Sequence, residues 1–333
     1  MVLATVYETV GSTYSKAGHR ILIAASGDYQ GLVSGGCLEG DLAERAARVA
    51  AERRAVTVSY DLRDEADDLW GLGVGCNGLL RVFLQPLLAE EGLQPFTAIA
   101  QCLGQREPSV VATVIESADG GPDAGATLVW QPAAQSRFGM DAGDAVRLGA
   151  QAQAVAAAGQ ARLLRGSDGL VLYAPLRPVP RLLVLGAGLD AVPLVEMAAK
   201  LGWRVWLADH RPAYLQRGGF ADAEQALLVE PRALAGALEL ASFDAIVVMS
   251  HHLLTDQAYL EQLAGVNAGY LGVLGPPQRK QRLLDALGDV GEELRARLKG
   301  PVGLDIGADS PESIALSILA EMQATLAGYP RTS

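Results

Sequence analysis

Residues 181–209 read RLLVLGAGLDAVPLVEMAAKLGWRVWLAD: an apolar strand, a tight glycine turn, a helix and a second apolar strand. Few folds accept that order. A continuous apolar strand is buried on both faces, which requires a parallel sheet with helices above and below it. The pattern then repeats, since DAIVVMS (244–250) and GYLGVLG (269–275) are further apolar strands separated by helical segments. The turn itself has G-x-G-x-x-A spacing at Gly186, Gly188 and Ala191. The first glycine permits the sharp turn, the second lets backbone approach a phosphate, and the alanine lets the helix lie close to the strand. Asp209, at the end of the second strand, stands about 20 residues on, where a ribose-binding acid is expected. These features predict a Rossmann-like domain. Asp190 lies inside the turn and would set a negative charge against an incoming pyrophosphate.

The segment YAPLRPVP (173–180) holds three prolines in eight residues and reads as an extended linker. Before it the pattern changes. VLATVYETV (2–10), HRILIAA (19–25), VTVSYDL and LLRVFLQPL read as strands, and 37–53 has helical spacing, with Leu38, Leu42, Ala46 and Val49 on one face. Residues 92–177 add helical FTAIAQCL, strands SVVATVIES and ATLVWQ, and an alanine-rich helix at 143–158, with no internal repeat evident. The expected architecture is α/β: an N-terminal mixed α+β domain (1–90), a middle α/β segment and linker (91–177), and the Rossmann-like domain (178–333). A last helix starts at DSPES, with Asp309 or Ser310 as its cap and Pro311 at its first position.

Three cysteines, Cys37, Cys76 and Cys102, are too few for a disulfide framework and lack zinc-site spacing. Cys102 lies in an apolar helix and reads as core. The other two follow glycines, in SGGCLEGD (34–41) and GLGVGCNG (71–78). Cys37, after Gly35 and Gly36, is expected at or near a helix N-terminus, where backbone N–H groups favour thiolate while Glu39 and Asp41 push the other way. Both cysteines read either as functional thiols or as small residues filling tight turns. The loop GSTYSKAGHR (11–20) gathers Lys16, His19 and Arg20, a candidate phosphate contact. At the carboxyl edge of the parallel sheet, MSHH (249–252) brings His251 and His252, and LGPPQRK (274–280) brings Arg279 and Lys280.

A net charge of −11 argues against a nucleic-acid or anionic-membrane binder. No apolar run approaches the roughly 20 residues that span a bilayer, and no basic-then-apolar leader opens the chain, so a cytoplasmic location is expected.

Taken in order, ETVGSTYSKAGHRILI, GLVSGGCLEGDLAE, YDLRDEADDLWGLGVGCNG, GAGLDAVPL, ADHRP, VVMSHH, YLGVLGP and GPVGLDIGADSPESIALSILAE resemble the XdhC/CoxI family of molybdenum-hydroxylase maturation factors. The resemblance covers most of the chain. It implies an accessory protein, dimeric and without turnover of its own. Such a protein binds molybdenum cofactor of the molybdopterin type, supports its sulfuration, and delivers it to an apo molybdenum hydroxylase of the xanthine or carbon monoxide dehydrogenase class. A cysteine desulfurase-type sulfur donor is the implied second partner. On this reading Cys37 and Cys76 are candidate molybdenum contacts. Gly35, Gly36, Lys16 and Arg20 join the cofactor-binding set, and Gly186, Gly188, Asp209 and His251 are the candidates for holding NAD(P) or another nucleotide, the other reading being a Rossmann scaffold that keeps the fold without one. The alternative is an NAD(P)-dependent oxidoreductase or nucleotide-sensing regulator built on the Rossmann-like domain.

Overall fold

The computed structural model describes residues 1–63 and 78–329, in two compact units, Met1–Pro178 and Val179–Ser333.

The first unit begins with β1 (Val2–Gly11), β2 (Arg20–Ile23), β3 (Tyr29–Gln30), α1 (Glu39–Glu52), β4 (Val56–Asp61) and β5 (Gly78–Pro86). These strands form an antiparallel sheet in the order β3-β2-β1-β5-β4. After α2 (Phe96–Leu103) come β6 (Ser109–Glu116), β7 (Thr127–Trp130), β8 (Gln135–Phe138), α3 (Ala142–Ala158), β9 (Arg162–Gly166) and β10 (Gly169–Leu176). Their sheet has the order β8-β7-β6-β10-β9, again antiparallel. The topology is the same twice: three strands, a helix, two strands, with the first strand central and the fifth beside it. The unit is therefore a duplicated motif, although no repeat is legible in the residues.

Alternation along each strand explains the layering. Val2, Ala4, Val6, Ile21 and Ile23 pack under α1, which offers Leu42, Ala46 and Val49. Val110, Ala112, Val114, Leu128 and Tyr173 pack under Leu148, Ala152 and Val155 of α3. The opposite faces meet each other, with Leu3, Val111, Val129 and Leu176 in one cluster and Tyr7, Phe83, Ile115 and Leu172 in another. Four layers result: helix, sheet, sheet, helix. Cys102 is buried in the first of these inter-sheet clusters, as its apolar helix predicts.

The second unit contains β11 (Arg181–Leu185), α4 (Ala191–Lys200), β12 (Arg204–Asp209), α5 (Pro212–Gln216), β13 (Gln225–Leu228), α6 (Leu234–Ala237), β14 (Ala245–Val248), α7 (Leu253–Gln262), β15 (Tyr270–Val273), α8 (Pro277–Leu287), α9 (Asp289–Arg295), β16 (Leu298–Lys299) and α10 (Pro311–Leu326). Its six strands are parallel in the order β13-β12-β11-β14-β15-β16. Val184, Val205 and Val247 face α4 and α10, and Leu183, Trp206 and Ile246 face α7 and α8. Strand order reverses between β12 and β14 on either side of β11, so the turn after β11 opens at the switch point where such sheets bind ligands. Ser310 caps α10 by accepting from Ser313 N–H, with Pro311 following. Among the described residues no helix is long and apolar enough to cross a membrane.

Candidate functional site

In the first unit the motif loops gather at one end of the first sheet. Ser15, fully buried, donates its hydroxyl to Val33 O at 2.6 Å and so ties the 11–20 loop to the turn before α1. Gly78 ends the long β4–β5 loop and lies against the same segment. A Cβ at Gly78 would stand 2.6 Å from both Ser12 O and Thr13 Cγ2, so only glycine fits this approach. Cys76 and the other loop residues 64–77 lie outside the described residues.

The turn carrying Cys37 is held from behind by Glu39. This carboxylate is almost fully buried and accepts from Val33 N–H at 3.0 Å, Ser34 N–H at 2.8 Å and the Ser34 hydroxyl. The same hydroxyl accepts from Leu38 N–H at 3.0 Å and closes the turn. Burial works to raise the pKa of Glu39, but the bonds from Ser34 and Val33 override it and hold the carboxyl below its ordinary range. The helix consequently begins at Glu39, with Leu38 as its N-cap, and Cys37 lies just before it rather than in its first turn. Gly35, Gly36 and Cys37 are left exposed. A Cβ added at either glycine would meet nothing within 4 Å, so the backbone before the thiol is open to a ligand.

The basic residues divide. Lys16 is exposed on the loop. Arg20 pairs with Thr5 in the sheet, and the next alternate residues along β2, Ile21 and Ile23, face α1. By strand alternation Arg20 leaves on the inter-sheet face, opposite the α1 side. Its Nη2 is buried without a hydrogen bond among the described residues, and burial draws its pKa down to about 10, still protonated at neutral pH. His19 is pushed below its ordinary value by burial and then by the charges of Lys16 and Arg20.

In the second half of the duplication the corresponding place is closed. There α3 starts on a capping box between Asp141 and Asp144, and β9 turns into β10 within a short hairpin. Arg147 of α3 bonds Asp168 of that hairpin at 2.9 Å. The equivalent elements of the first half are the N-terminus of α1 and the β4–β5 loop, which carry the two glycine–cysteine motifs.

In the second unit, Gly186 has φ +124°, and a Cβ there would stand 2.6 Å from Met249 O. The positive φ is the sharp turn expected of the first glycine, and the close contact is with the backbone after β14. Asp209, fully buried, accepts from Ala187 N–H at 2.7 Å and binds Arg211 through Nε and Nη2. Its burial favours protonation, and the bonds from Arg211 and Ala187 outweigh this and lower its pKa. Asp190 is met by His251, whose Nε2 lies 2.7 Å from Oδ2. Its neighbour His252 turns to Thr255 Oγ1 at 3.0 Å. Arg279 reaches Asp256 at 2.6 Å, and Asp256 also accepts from Ser250 N–H. Beyond β15, a cavity of about 900 Å³ is lined by Leu274, Pro276, Val302, Asp305, Ile306 and Ile314, among others.

Comparison with known proteins sets these sites in a family. The profile of the XdhC Rossmann domain matches residues 182–322, and that of the XdhC and CoxI family matches residues 1–61. A Bacillus subtilis protein, named as a probable subunit of xanthine dehydrogenase, is 32% identical over 321 residues, 96% of this chain and 92% of that protein. The chain belongs to the XdhC and CoxI family. The molybdenum cofactor insertion chaperone PaoD of Escherichia coli is a further relative, 24% identical over 96% of this chain and 82% of its own. A crystal structure titled as a xanthine dehydrogenase from Bacillus halodurans superposes with a TM-score of 0.80 at 29% identity, covering 100% of this chain and 93% of that one.

Within this XdhC-type chain, Glu39, Asp256 and Arg211 are the residues that sequence reasoning passes over. An acid in a helix's first turn reads as a dipole partner, and nothing in its spacing shows a carboxylate folded back onto the preceding turn. Arg211 sits two residues after the expected ribose acid, which is the signal that could have found it.

Proposed function

We propose that this protein is a molybdenum-hydroxylase accessory factor. It binds molybdenum cofactor as cargo, supports exchange of a terminal oxygen for sulfur, and hands the product to an apo-hydroxylase. The reading rests on family membership and on one observation: the two halves of the first unit share a topology, and the first presents an open glycine–cysteine turn at Gly35–Cys37 where the second is closed. Fold stability alone asks for no such elaboration, since Arg147 and Asp168 close the counterpart site.

The residues suit the cargo. Exposed Cys37 is a soft donor for a molybdenum end, and the open backbone at Gly35 and Gly36 offers N–H donors to an oxyanion. Lys16 supplies an exposed cation on the neighbouring loop. Among the described residues no group of three or more His, Cys, Asp or Glu side chains is arranged to hold a metal ion. The role proposed for Cys37 is that of a supplementary thiol to a metal centre that brings its own ligands. We assign the same role to Cys76 from its family position. The sulfur donor, the apo-hydroxylase and a second copy of the chain complete the proposed set of partners.

An oxidoreductase needs a proton-transfer group facing a nicotinamide. The sequence offers His251 and His252, and each already has a partner, Asp190 and Thr255.

Anaerobic titration of the purified chain with molybdenum cofactor tests the proposal. Saturable binding that weakens at least tenfold in a Cys37→Ala, Cys76→Ala double variant is expected. Unchanged retention in that variant removes the thiols from the site, and no binding by the wild type overturns the function.

A further inference from the structure

We propose that the Rossmann unit binds a dinucleotide bearing a 2′-phosphate on its adenosine ribose and rejects one with a free 2′-hydroxyl. This stands on the second unit alone and is independent of the chaperone reading.

The fold supplies a phosphate turn at the switch point, with Gly186 in a conformation and a contact that exclude a side chain. The end of β12, however, differs from a site for an unphosphorylated ribose. Such a site needs the strand-end acid to accept from both ribose hydroxyls. A carboxylate has about four acceptor positions, and Asp209 uses all of them within the protein. Oδ1 accepts from Arg211 N–H at 2.8 Å and Arg211 Nε at 2.9 Å. Oδ2 accepts from Ala187 N–H at 2.7 Å and Arg211 Nη2 at 2.7 Å. A 2′-hydroxyl arriving there finds no free acceptor on this acid.

The same bonds fix a guanidinium. Arg211 is held through Nε and Nη2, which leaves Nη1 without a hydrogen bond among the described residues. Its plane stacks on Tyr214, 3.6 Å from the ring centroid. Arg217 lies over the same ring at 5.1 Å, is exposed, and has no ion-pair partner among the described residues. His210 adds a buried Nδ1, 3.5 Å from Asp209 Oδ1, that makes no hydrogen bond among the described residues. Two arginines against one aromatic ring beside a neutralised acid are suited to a dianionic phosphate, whose oxygens match the planar donor fork. The acid thus serves to position Arg211, and discrimination falls to Arg211 and Arg217.

Calorimetric titration of the full chain, free of molybdenum cofactor, with NADP⁺, NAD⁺, 2′,5′-ADP and 5′-AMP decides the matter. The expected result is NADP⁺ binding at least tenfold tighter than NAD⁺, with 2′,5′-ADP likewise ahead of 5′-AMP. Arg217→Ala and Arg211→Lys should each remove most of that preference, Arg217→Ala by weakening NADP⁺ and Arg211→Lys also by freeing Asp209 acceptors for the ribose of NAD⁺. Arg217 is exposed, so its variant folds even if a change at Arg211 disturbs Asp209. Equal or tighter binding of NAD⁺, no binding of any of the four, or a preference that survives in Arg217→Ala and Arg211→Lys alike overturns the proposal.

Discussion

His251 Nε2 lies 2.7 Å from Asp190 Oδ2, so an imidazole from the end of β14 meets a carboxylate inside the glycine turn after β11. The two residues are 61 positions apart in the chain. The pair answers the charge conflict that Asp190 raises: a protonated His251 offsets the carboxylate where the proposed dinucleotide would set its phosphates. His251 accepts a left-handed backbone, φ +62°, to reach it. The Asp190 bond raises the pKa of His251, opposed by partial desolvation. Because the folded value is raised, the contribution is fully present below the unfolded value of about 6.5 and is lost as pH rises through the folded one. Histidine NMR titration should show His251 above its ordinary pKa, and Asp190→Asn should bring it down. Anion affinity at the turn should fall over the same pH range in wild type, and that fall should move to lower pH in the variant.

Glu39 supports the Cys37 turn through three bonds, and its removal leaves Val33 and Ser34 N–H unpaired in a buried place. Glu39→Ala should destabilise the protein by about 2–4 kcal/mol and Glu39→Gln by about half as much, measured by urea denaturation. Amide exchange should accelerate at Ser34 ahead of the sheet. The folded pKa of Glu39 is depressed, so its stabilisation is present above the ordinary value of 4.5 and lost as pH falls through the lower folded value. Wild-type protection at Ser34 that matches Glu39→Ala at neutral pH argues that the turn is held by something else.

The two units differ in how much of their structure is legible in the residues. The strand–turn–helix of 181–209 fixes its own fold because apolar continuity, glycine spacing and the terminal acid all point the same way. The duplication is invisible, because alternation constrains only which face is apolar. SGGCLEGD before α1 and the Asp141 cap before α3 serve equivalent places with unrelated residues. Spacing finds Asp209 but not its use, since that depends on Arg211 folding back across the end of β12. Proximity in the chain groups Arg20 with Lys16, and strand alternation sends it to the inter-sheet face.

The cysteines should differ sharply in reactivity. Cys37 is exposed and Cys102 is buried, with burial pushing the Cys102 thiol up. In a Cys76→Ser background, a disulfide reagent such as DTNB should modify one thiol under native conditions and a second only on unfolding. Cys37→Ala should change stability by no more than about 0.5 kcal/mol, which separates loss of cofactor retention from loss of fold. Two rapidly reacting thiols in that background place Cys102 outside the core.

Asp256 offers the most demanding test of the sheet edge. It is fully buried on α7, accepts from Ser250 N–H at 3.2 Å, and receives Arg279 of α8 at 2.6 Å. Taking away one partner of a buried pair strands the other charge, which costs about 3–5 kcal/mol. Arg279→Met should therefore destabilise strongly, because its own side chain is mostly covered while Asp256 has no solvent to turn to. Replacing both partners removes the stranded charge, so Asp256→Asn in the Arg279→Met background should recover stability rather than lose more. A denaturation cycle across the four proteins measures this coupling. Additive losses in the double variant would mean that the two side chains contribute through packing alone, and that the edge next to His251 is not organised by charge.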